Sequence, residues 1–213
     1  MLTLYYRPLA CSLASRIAIE EAGIEARFER VDLKTKRLGQ GGDFLAVSAK
    51  GQVPVVRTAE GVLLSEGAAV LQYLADQRPA SALAPPPDDP FRYQLQSWLN
   101  FIATELHKQG LFPRFMDGTP GAVREYGLER FAEKLDHVEA HLAEHAYLMG
   151  DSFTVADAYL VWLLVLARFA RCELPPHTAA YLERLEQRPS VARALARELA
   201  ELQAEPDAAG GAR

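Results

Sequence analysis

The segment Ala80-Ser-Ala-Leu-Ala-Pro-Pro-Pro-Asp-Asp-Pro90 divides the chain into two parts of different character. Four of the six residues at positions 85–90 are proline. Because proline lacks the backbone N–H and its ring clashes with the preceding turn, no helix can run through this segment. We therefore expect residues 80–90 to be a linker between a domain over 1–79 and a domain over 91–213.

Before the linker, the sequence alternates between strand and helix patterns. Residues 2–6 are short, apolar and rich in β-formers, and Arg7-Pro8 ends them. Residues 12–22 have helical spacing and are followed by Gly23, a typical C-cap. The pattern predicts, in order, a strand over 2–6, a helix over 12–22, a strand over 26–33, a loop over 34–49, strands over 53–57 and 61–64, and a helix over 65–77.

After the linker, no segment has a strand pattern. Helical spacing predicts helices over 91–115, 122–147, 155–171, 178–187 and 190–203. Residues 155–171 are nearly all apolar, so that helix should be buried on most sides. The tail over 205–213 has no apolar anchor and is expected to be frayed. The fold class is therefore α+β with two domains: a β-α-β-loop-β-β-α unit followed by an all-α unit.

Composition excludes several classes of protein. The 213 residues include 23 Lys+Arg and 28 Asp+Glu, so the net charge is 23 − 28 = −5, which argues against a nucleic-acid partner. The two cysteines, Cys11 and Cys172, are too few for a disulfide scaffold or a cysteine-based zinc site. No apolar run reaches about 18 residues, and residues 1–12 lack a signal-peptide pattern. We expect a cytoplasmic protein that does not bind membranes.

Cys11 lies between the first strand and the first helix. A thiol there would face the helix N-terminus, whose dipole and free N–H groups favour the thiolate. The position is also compatible with a small apolar residue that fills a turn. The following residues contain no second cysteine at C-x-x-C spacing, so any disulfide of Cys11 would be a mixed one with a small external thiol.

Two segments of the first unit are typical of ligand-binding backbone. Val53-Pro54 indicates either a strand edge or a cis-proline that turns the backbone of Val53 towards a peptide-like ligand. Ser65-Glu66-Gly67 ends a strand and opens a helix. Its residues could serve as ordinary helix-entry groups, or backbone N–H groups could hold a carboxylate there while Glu66 holds an ammonium.

The helical unit contains further candidates. Asn100, Ala103 and His107 share one helix face, although a lone helical histidine is more often a surface or core residue than a catalyst. Thr154 and Asp157 fit a capping box before the most apolar helix, and Cys172 is expected to be an inert thiol. His137, His141 and His145 form one stripe that could chelate zinc or nickel, but a solvated face beside Glu139 and Glu144 is the commoner explanation.

The separated motifs together resemble the bacterial beta class of glutathione S-transferases over nearly the whole chain. They occur in the family's order and spacing, which is more specific than any single motif. The matching segments are 6–15, 50–54, 65–76, 98–108 and 153–159.

The resemblance implies a thioredoxin-like N-terminal domain, an all-α C-terminal domain and a homodimer. It implies glutathione as co-substrate, no tightly bound cofactor and no metal. Cys11 and His107 would be catalytic and lie beside the glutathione sulfur. The implied glutathione contacts are Tyr6, Ala10, Lys36, Gln52, Val53, Pro54, Glu66, Gly67, Asn100 and Lys108. Gly67 stands where many relatives have Ser or Thr, and the beta-class pattern gives Tyr6 no clear catalytic role.

The implied activity is conjugation of glutathione to small hydrophobic electrophiles. A second activity, monothiol disulfide reduction, would use Cys11 through a mixed disulfide with glutathione. Two alternatives stay open: a binding or regulatory protein without turnover, and a specialised glutathione-dependent dehalogenase or isomerase.

Overall fold

The computed structural model describes residues 1–204, so the predicted frayed tail over 205–213 lies outside the described residues. Five strands form one mixed sheet in the order β3-β2-β1-β4-β5. Strand β1 pairs in parallel with β2, and the other three pairings are antiparallel. The strands are β1 Leu2–Tyr6, β2 Ala26–Asp32, β3 Arg37–Leu38, β4 Val55–Arg57 and β5 Leu63–Ser65.

Helices α1 and α2 belong to this first unit, and the remaining helices follow the linker. They are α1 Ser12–Ala22, α2 Gly67–Asp76, α3 Phe91–Phe101, α4 Gly121–Leu142, α5 Val155–Phe169, α6 Pro176–Glu186 and α7 Pro189–Gln203. Helix α1 ends as predicted, because Gly23 adopts φ +62° and donates its N–H to the carbonyl of Ile19. No helix among residues 1–204 is both long and apolar enough to cross a membrane.

Strand β1 buries both of its faces. Leu4 and Tyr6 of β1 point into the main core, while Tyr5 points to a second cluster with Phe44 and Val55. This alternation follows from the two-residue period of a strand. The second cluster is covered by a short 3₁₀ helix, Phe44–Ala46, within the segment that was predicted as loop.

Strand β3 is the element that the sequence pattern missed. Its two residues pair with Val31 and Asp32 of β2. The Asp32 side chain accepts hydrogen bonds from the backbone N–H groups of Lys34 and Thr35, which closes the turn between the strands. A two-residue strand is too short to show a period, so only the turn chemistry of Asp32 could have indicated it.

Helix α3 does not run on to residue 115 as a single α-helix. It passes at Ile102 into a π-helix, Ile102–Leu111, and then into a 3₁₀ helix, Phe112–Phe115. Helix α4 packs tightly on this π-helix: a Cβ at Gly127 would lie 2.6 Å from the carbonyl oxygen of Gly110. Helix α4 also ends at Leu142 rather than at the predicted residue 147.

Helix α5 forms the centre of the second unit, as its apolar sequence predicted. The capping box of Thr154 and Asp157 is present at its start, which confirms that prediction. Trp162 at its middle is fully buried. Buried residues of both units belong to one continuous hydrophobic cluster, so α1 and α5 pack directly against each other.

Candidate functional site

A cleft of about 300 Å³ lies where the sheet unit meets the π-helix. It is lined by nine residues that the sequence analysis singled out: Cys11, Gln52, Val53, Pro54, Glu66, Gly67, Asn100, His107 and Lys108. These residues come from five separate segments of the chain, so only the tertiary fold brings them together.

A second cavity of about 550 Å³ adjoins the cleft and shares part of its wall. The shared residues are Cys11, Gln52, Val53, His107 and Lys108. Two predicted residues, Ala10 and Lys36, line only this second cavity. Much of its wall is apolar and includes Phe112, Phe115, Trp162 and Leu166, so it suits a hydrophobic compound.

Cys11 immediately precedes α1 on the shared wall. Its thiol donates a hydrogen bond to the carbonyl oxygen of Val53, with a sulfur–oxygen distance of 3.1 Å. Burial raises the pKa of Cys11 to about 11, against a smaller opposing effect of Lys108. The backbone N–H groups at the start of α1 do lower the pKa of Cys11, as expected, but desolvation by burial outweighs them.

His107 lies on the π-helix and is buried between aromatic rings. Its ring centroid is 4.7 Å from that of Trp162 and 5.3 Å from that of Phe112, both edge to face. Burial, with a further contribution from the positive charge of Lys108, lowers the pKa of His107 to about 3. At neutral pH the imidazole is uncharged, so it can stabilise an anion only through its N–H.

Besides Lys108, charged residues of the first unit lie along the cleft and the second cavity. Lys50 and Glu66 form an exposed ion pair with an Nζ–Oε1 distance of 2.5 Å. Glu66 adopts φ +72° immediately before α2, and Gly67 begins that helix. The Nζ of Lys36 donates to the carbonyl oxygen of Gly51 at 2.9 Å. The N-terminus of α2 therefore opens into the cleft beside a carboxylate and a lysine.

The peptide bond between Val53 and Pro54 is cis. Of the two interpretations of that motif, a strand edge or a cis-proline, the structure has the cis-proline. Both residues line the cleft.

Tyr6 does not reach the cleft or the second cavity. It is buried, and its hydroxyl donates to a carboxylate oxygen of Glu201 on α7 at 2.7 Å. Burial and the nearby Glu201 raise the pKa of Tyr6 to about 12. The guanidinium of Arg16 lies over its ring at 4.4 Å. The structure thus corrects the expected role of Tyr6: it joins α1 and α7 rather than lining the site, because its strand position points into the core.

The loop before Cys11 is fixed by two buried side chains of the second unit. Leu9, at φ +56°, donates its backbone N–H to Glu198 at 2.7 Å. Trp162 donates its indole N–H to the carbonyl oxygen of Leu9 at 3.1 Å. Helices α5 and α7 therefore determine where the Cys11 thiol lies.

Several residues at the site were not predicted from the sequence. Tyr159 of α5 lines the cleft, and its ring stacks on Trp162 with centroids 5.5 Å apart. Both belong to the helix over 155–171, which was predicted only as a nearly all-apolar, buried helix. Their signal was that Tyr and Trp carry polar groups that need partners when buried. Lys50, Ala68 and Thr104 also line the cleft and were not predicted as contacts. Ser65 and Ala103 line it too, and the sequence indicated them only as neighbours of the predicted contacts.

The histidine stripe is engaged in aromatic packing. Trp98 stacks on His137 at 5.2 Å and meets His141 edge to face at 4.9 Å. His141 stacks on His145 at 4.3 Å. Among residues 1–204, no group of three or more His, Cys, Asp or Glu side chains is arranged to hold a metal ion. Cys172 is partly buried, and this burial raises its pKa, so it is a protonated thiol.

Comparisons with known proteins agree with this architecture. Residues 10–77 match the family model of the glutathione S-transferase N-terminal domain, and residues 99–197 match that of the C-terminal domain. Glutathione S-transferase GstA of Escherichia coli O157:H7 is 42% identical over 197 residues, which cover 92% of this chain and 98% of that protein.

Two solved structures have the same fold. A sphingomonad glutathione S-transferase complexed with glutathione is 36% identical, with a TM-score of 0.89. A bacterial beta-class glutathione S-transferase from Sphingomonas chungbukensis is also 36% identical, with a TM-score of 0.87. Each similarity covers 92% of this chain and 98% of the other. The predicted fold class, a thioredoxin-like domain followed by an all-α domain, is thereby confirmed. The chain belongs to the glutathione S-transferase family, and the structures that resemble it include the bacterial beta class.

Proposed function

We propose that this protein is a glutathione transferase that conjugates glutathione to small hydrophobic electrophiles. The observation that carries the proposal is the shared wall of Cys11, Val53 and His107 between a polar cleft and an apolar cavity. A thiol held at that wall would have an electrophile on its other side. Residues 1–79 would supply most of the glutathione site, and residues 91–213 would supply the large apolar side chains of the second pocket, Phe112, Phe115, Trp162 and Leu166.

The cleft and the edge of the second cavity beside Lys36 together offer each end of glutathione a complementary group. The γ-glutamyl carboxylate would lie at the N-terminus of α2, and its ammonium would pair with Glu66. The cysteinyl backbone would pair with that of Val53. Lys36 would receive the glycyl carboxylate. The sulfur would then lie between Cys11 and His107.

The reaction follows from this placement. The glutathione thiol loses its proton to solvent, and the neutral imidazole of His107 stabilises the thiolate by donating its N–H. The thiolate attacks the electrophilic carbon. A carbon–sulfur bond forms, and with an aryl halide the carbon–halogen bond breaks and halide leaves. Glutathione is a consumed co-substrate, and no tightly bound cofactor is part of the proposal.

The monothiol branch is a second proposal. In it, the Cys11 thiolate attacks the glutathionyl sulfur of a disulfide substrate, which forms a Cys11–glutathione disulfide and releases the substrate's other half as a thiolate. The thiolate of a second glutathione then attacks that glutathionyl sulfur, which releases the Cys11 thiolate and glutathione disulfide. The raised pKa of Cys11 limits its own attack on disulfides and so favours conjugation as the main activity. We also propose, from the family resemblance, a cytoplasmic homodimer without nucleic-acid or membrane partners.

The experiment that tests the function combines affinity and turnover. The protein should be retained on immobilised glutathione, and a panel of aryl halide, mixed disulfide, haloacid and peroxide should give glutathione-dependent turnover with the aryl halide. Retention without turnover would instead indicate a binding protein. Turnover with the haloacid alone would indicate a dehalogenase.

Replacing Cys11 by alanine is expected to leave aryl-halide conjugation within about threefold of the wild type. The reason is that a protonated thiol offers glutathione only a weak hydrogen bond. Reduction of mixed disulfides should be lost in the same variant. Cys172→Ala, which removes a thiol away from both cavities, should retain both activities. Complete loss of conjugation in Cys11→Ala would contradict this assignment.

Replacing His107 by alanine is expected to lower kcat/KM for conjugation about tenfold, the usual cost of one hydrogen bond to a charged group. The rate–pH profile should shift to higher pH, because the glutathione thiolate loses a donor. The variant His145→Ala serves as a matched control, since this exposed imidazole is remote from the cleft. An unchanged profile in His107→Ala would refute the role.

A further inference from the structure

Tyr159 is a buried residue of the cleft to which the catalytic scheme assigns no task. It lies in the first turns of α5, and its side chain is only 3% exposed. Its hydroxyl oxygen reaches the beginning of α2. A Cβ built on Gly67 would lie 3.1 Å from that oxygen and 3.3 Å from the ring carbon that bears it. Any side chain at position 67 would compete with the phenol for space.

The hydroxyl has no protein partner within residues 1–204. No hydrogen bond contributes to its pKa, which is raised by burial and by the nearby Cys11 and Glu66. The phenol therefore stays protonated at neutral pH. A buried Tyr hydroxyl ordinarily has a hydrogen-bond partner. Here the hydroxyl borders a cleft, so a ligand atom is the partner it can gain.

The surroundings of the hydroxyl favour an anionic acceptor. Helix α2 begins at Gly67, and the N–H groups of its first turn have no carbonyl partners within the helix. These N–H groups and the phenol are donors at the same end of the cleft, close to the ammonium of Lys50. Several donors that meet in a partly enclosed site form a binding place for a carboxylate.

We propose that the Tyr159 hydroxyl donates a hydrogen bond to the α-carboxylate of the γ-glutamyl residue of glutathione. This inference rests on the proposed function, and it adds a positioning residue for the substrate. It also explains why position 67 has no side chain. A hydroxyl that position 67 does not carry is supplied from α5, and the absence of a side chain at Gly67 leaves space for the phenol.

The sulfur of glutathione is a less suitable acceptor. The wall where the sulfur would lie is made by Cys11, Val53 and His107, and the thiol of Cys11 is directed at the carbonyl of Val53. Tyr159 lines only the polar cleft and not the second cavity, whereas those three residues line both. The phenol therefore faces the cleft and not the second cavity, where the electrophile would lie.

Steady-state kinetics of Tyr159→Phe with two thiol substrates test the assignment. The substrates are glutathione and 4-aminobutanoyl-cysteinylglycine, which lacks the γ-glutamyl α-carboxylate and keeps the amine and the thiol. We expect the KM for glutathione to rise about tenfold, because a hydrogen bond to a charged group is lost. The KM for the analogue and both kcat values should stay within about twofold, since the analogue offers no carboxylate to bond.

The variant keeps the ring that stacks on Trp162, and Tyr93→Phe, at an exposed tyrosine, is the matched control. An equal change in KM for both substrates, or none, would overturn the proposal. A fall in kcat with a raised thiol pKa for both would assign the hydroxyl to the sulfur instead. If Tyr159→Phe does not fold, Gly67→Ala decides, because displacing the phenol should reduce the preference for glutathione over the analogue. Absence of transfer by the wild type would refute the function itself, not the role of Tyr159.

Discussion

Replacing Asp157 by alanine is expected to lower the free energy of unfolding by about 4 kcal/mol, near the upper end for a single substitution. The Asp157 carboxylate is completely buried and accepts four hydrogen bonds. The donors are the N–H of Leu148 at 2.9 Å, the N–H of Thr154 at 2.8 Å, the hydroxyl of Thr154 at 2.9 Å and the hydroxyl of Tyr181 at 2.7 Å.

Alanine would leave all four donors buried without an acceptor. Each unsatisfied donor costs about 1–3 kcal/mol, reduced where a hydroxyl can rotate to another partner. Urea denaturation followed by circular dichroism measures the loss. Asp136→Ala, which removes an exposed carboxylate on α4, is the matched control and should change stability by less than about 0.5 kcal/mol. Equal stability of the two variants would show that the capping network contributes little.

Replacing Glu139 by glutamine is expected to cost about 2 kcal/mol at neutral pH, since hydrogen bonds to a charged group weaken. Glu139 on α4 caps the start of α6: it accepts from the N–H and Nδ1 of His177 and from the N–H and hydroxyl of Thr178. Burial raises the pKa of Glu139, but these four hydrogen bonds outweigh it and lower the pKa to about 2.

This shift makes the effect of Glu139→Gln depend on pH. Between about pH 4.5 and pH 2 the unfolded chain has Glu139 protonated while the folded protein still holds it ionised. The stabilisation by Glu139 is complete above pH 4.5 and is lost as the pH falls towards 2. Denaturation at pH 7, 4 and 2.5 should therefore show the wild type and the variant converging in acid. Glu144→Gln, which changes an exposed residue just after α4, is the control. Its stability should equal that of the wild type at pH 7, so no difference is present to disappear in acid.

The order of elements could be predicted because each rests on local chemistry. The prolines indicated the linker, and Gly23 indicated the end of α1. Glycine adopts the left-handed conformation there without help from tertiary contacts. The π-helix had no such signal. Its i→i+5 bonds accompany the close packing of Gly110 against Gly127, two residues that are distant in sequence. Only tertiary contact distinguishes that segment from an ordinary amphipathic helix.

Site residues could be predicted where the side chain itself is reactive or charged. Cys11, His107 and Glu66 were singled out by type and position, and all three line the cleft. Their electrostatics were not predictable, since the pKa values of Cys11 and His107 depend on how far each is buried. Tyr159 was missed because its ring fits the apolar pattern of a buried helix, and that pattern gives no information about the hydroxyl.

The wall common to the two cavities limits how this enzyme can diversify. Cys11, Val53 and His107 face both the thiol substrate and its acceptor, so no exchange at these positions can alter preference for one without disturbing the other. Independent variation is confined to the unshared residues of the larger cavity that are not assigned to glutathione, such as Phe112 and Leu166. New preferences for the electrophile would therefore evolve through the 3₁₀ helix Phe112–Phe115 and the part of α5 around Leu166. The residues that bind glutathione would stay unchanged.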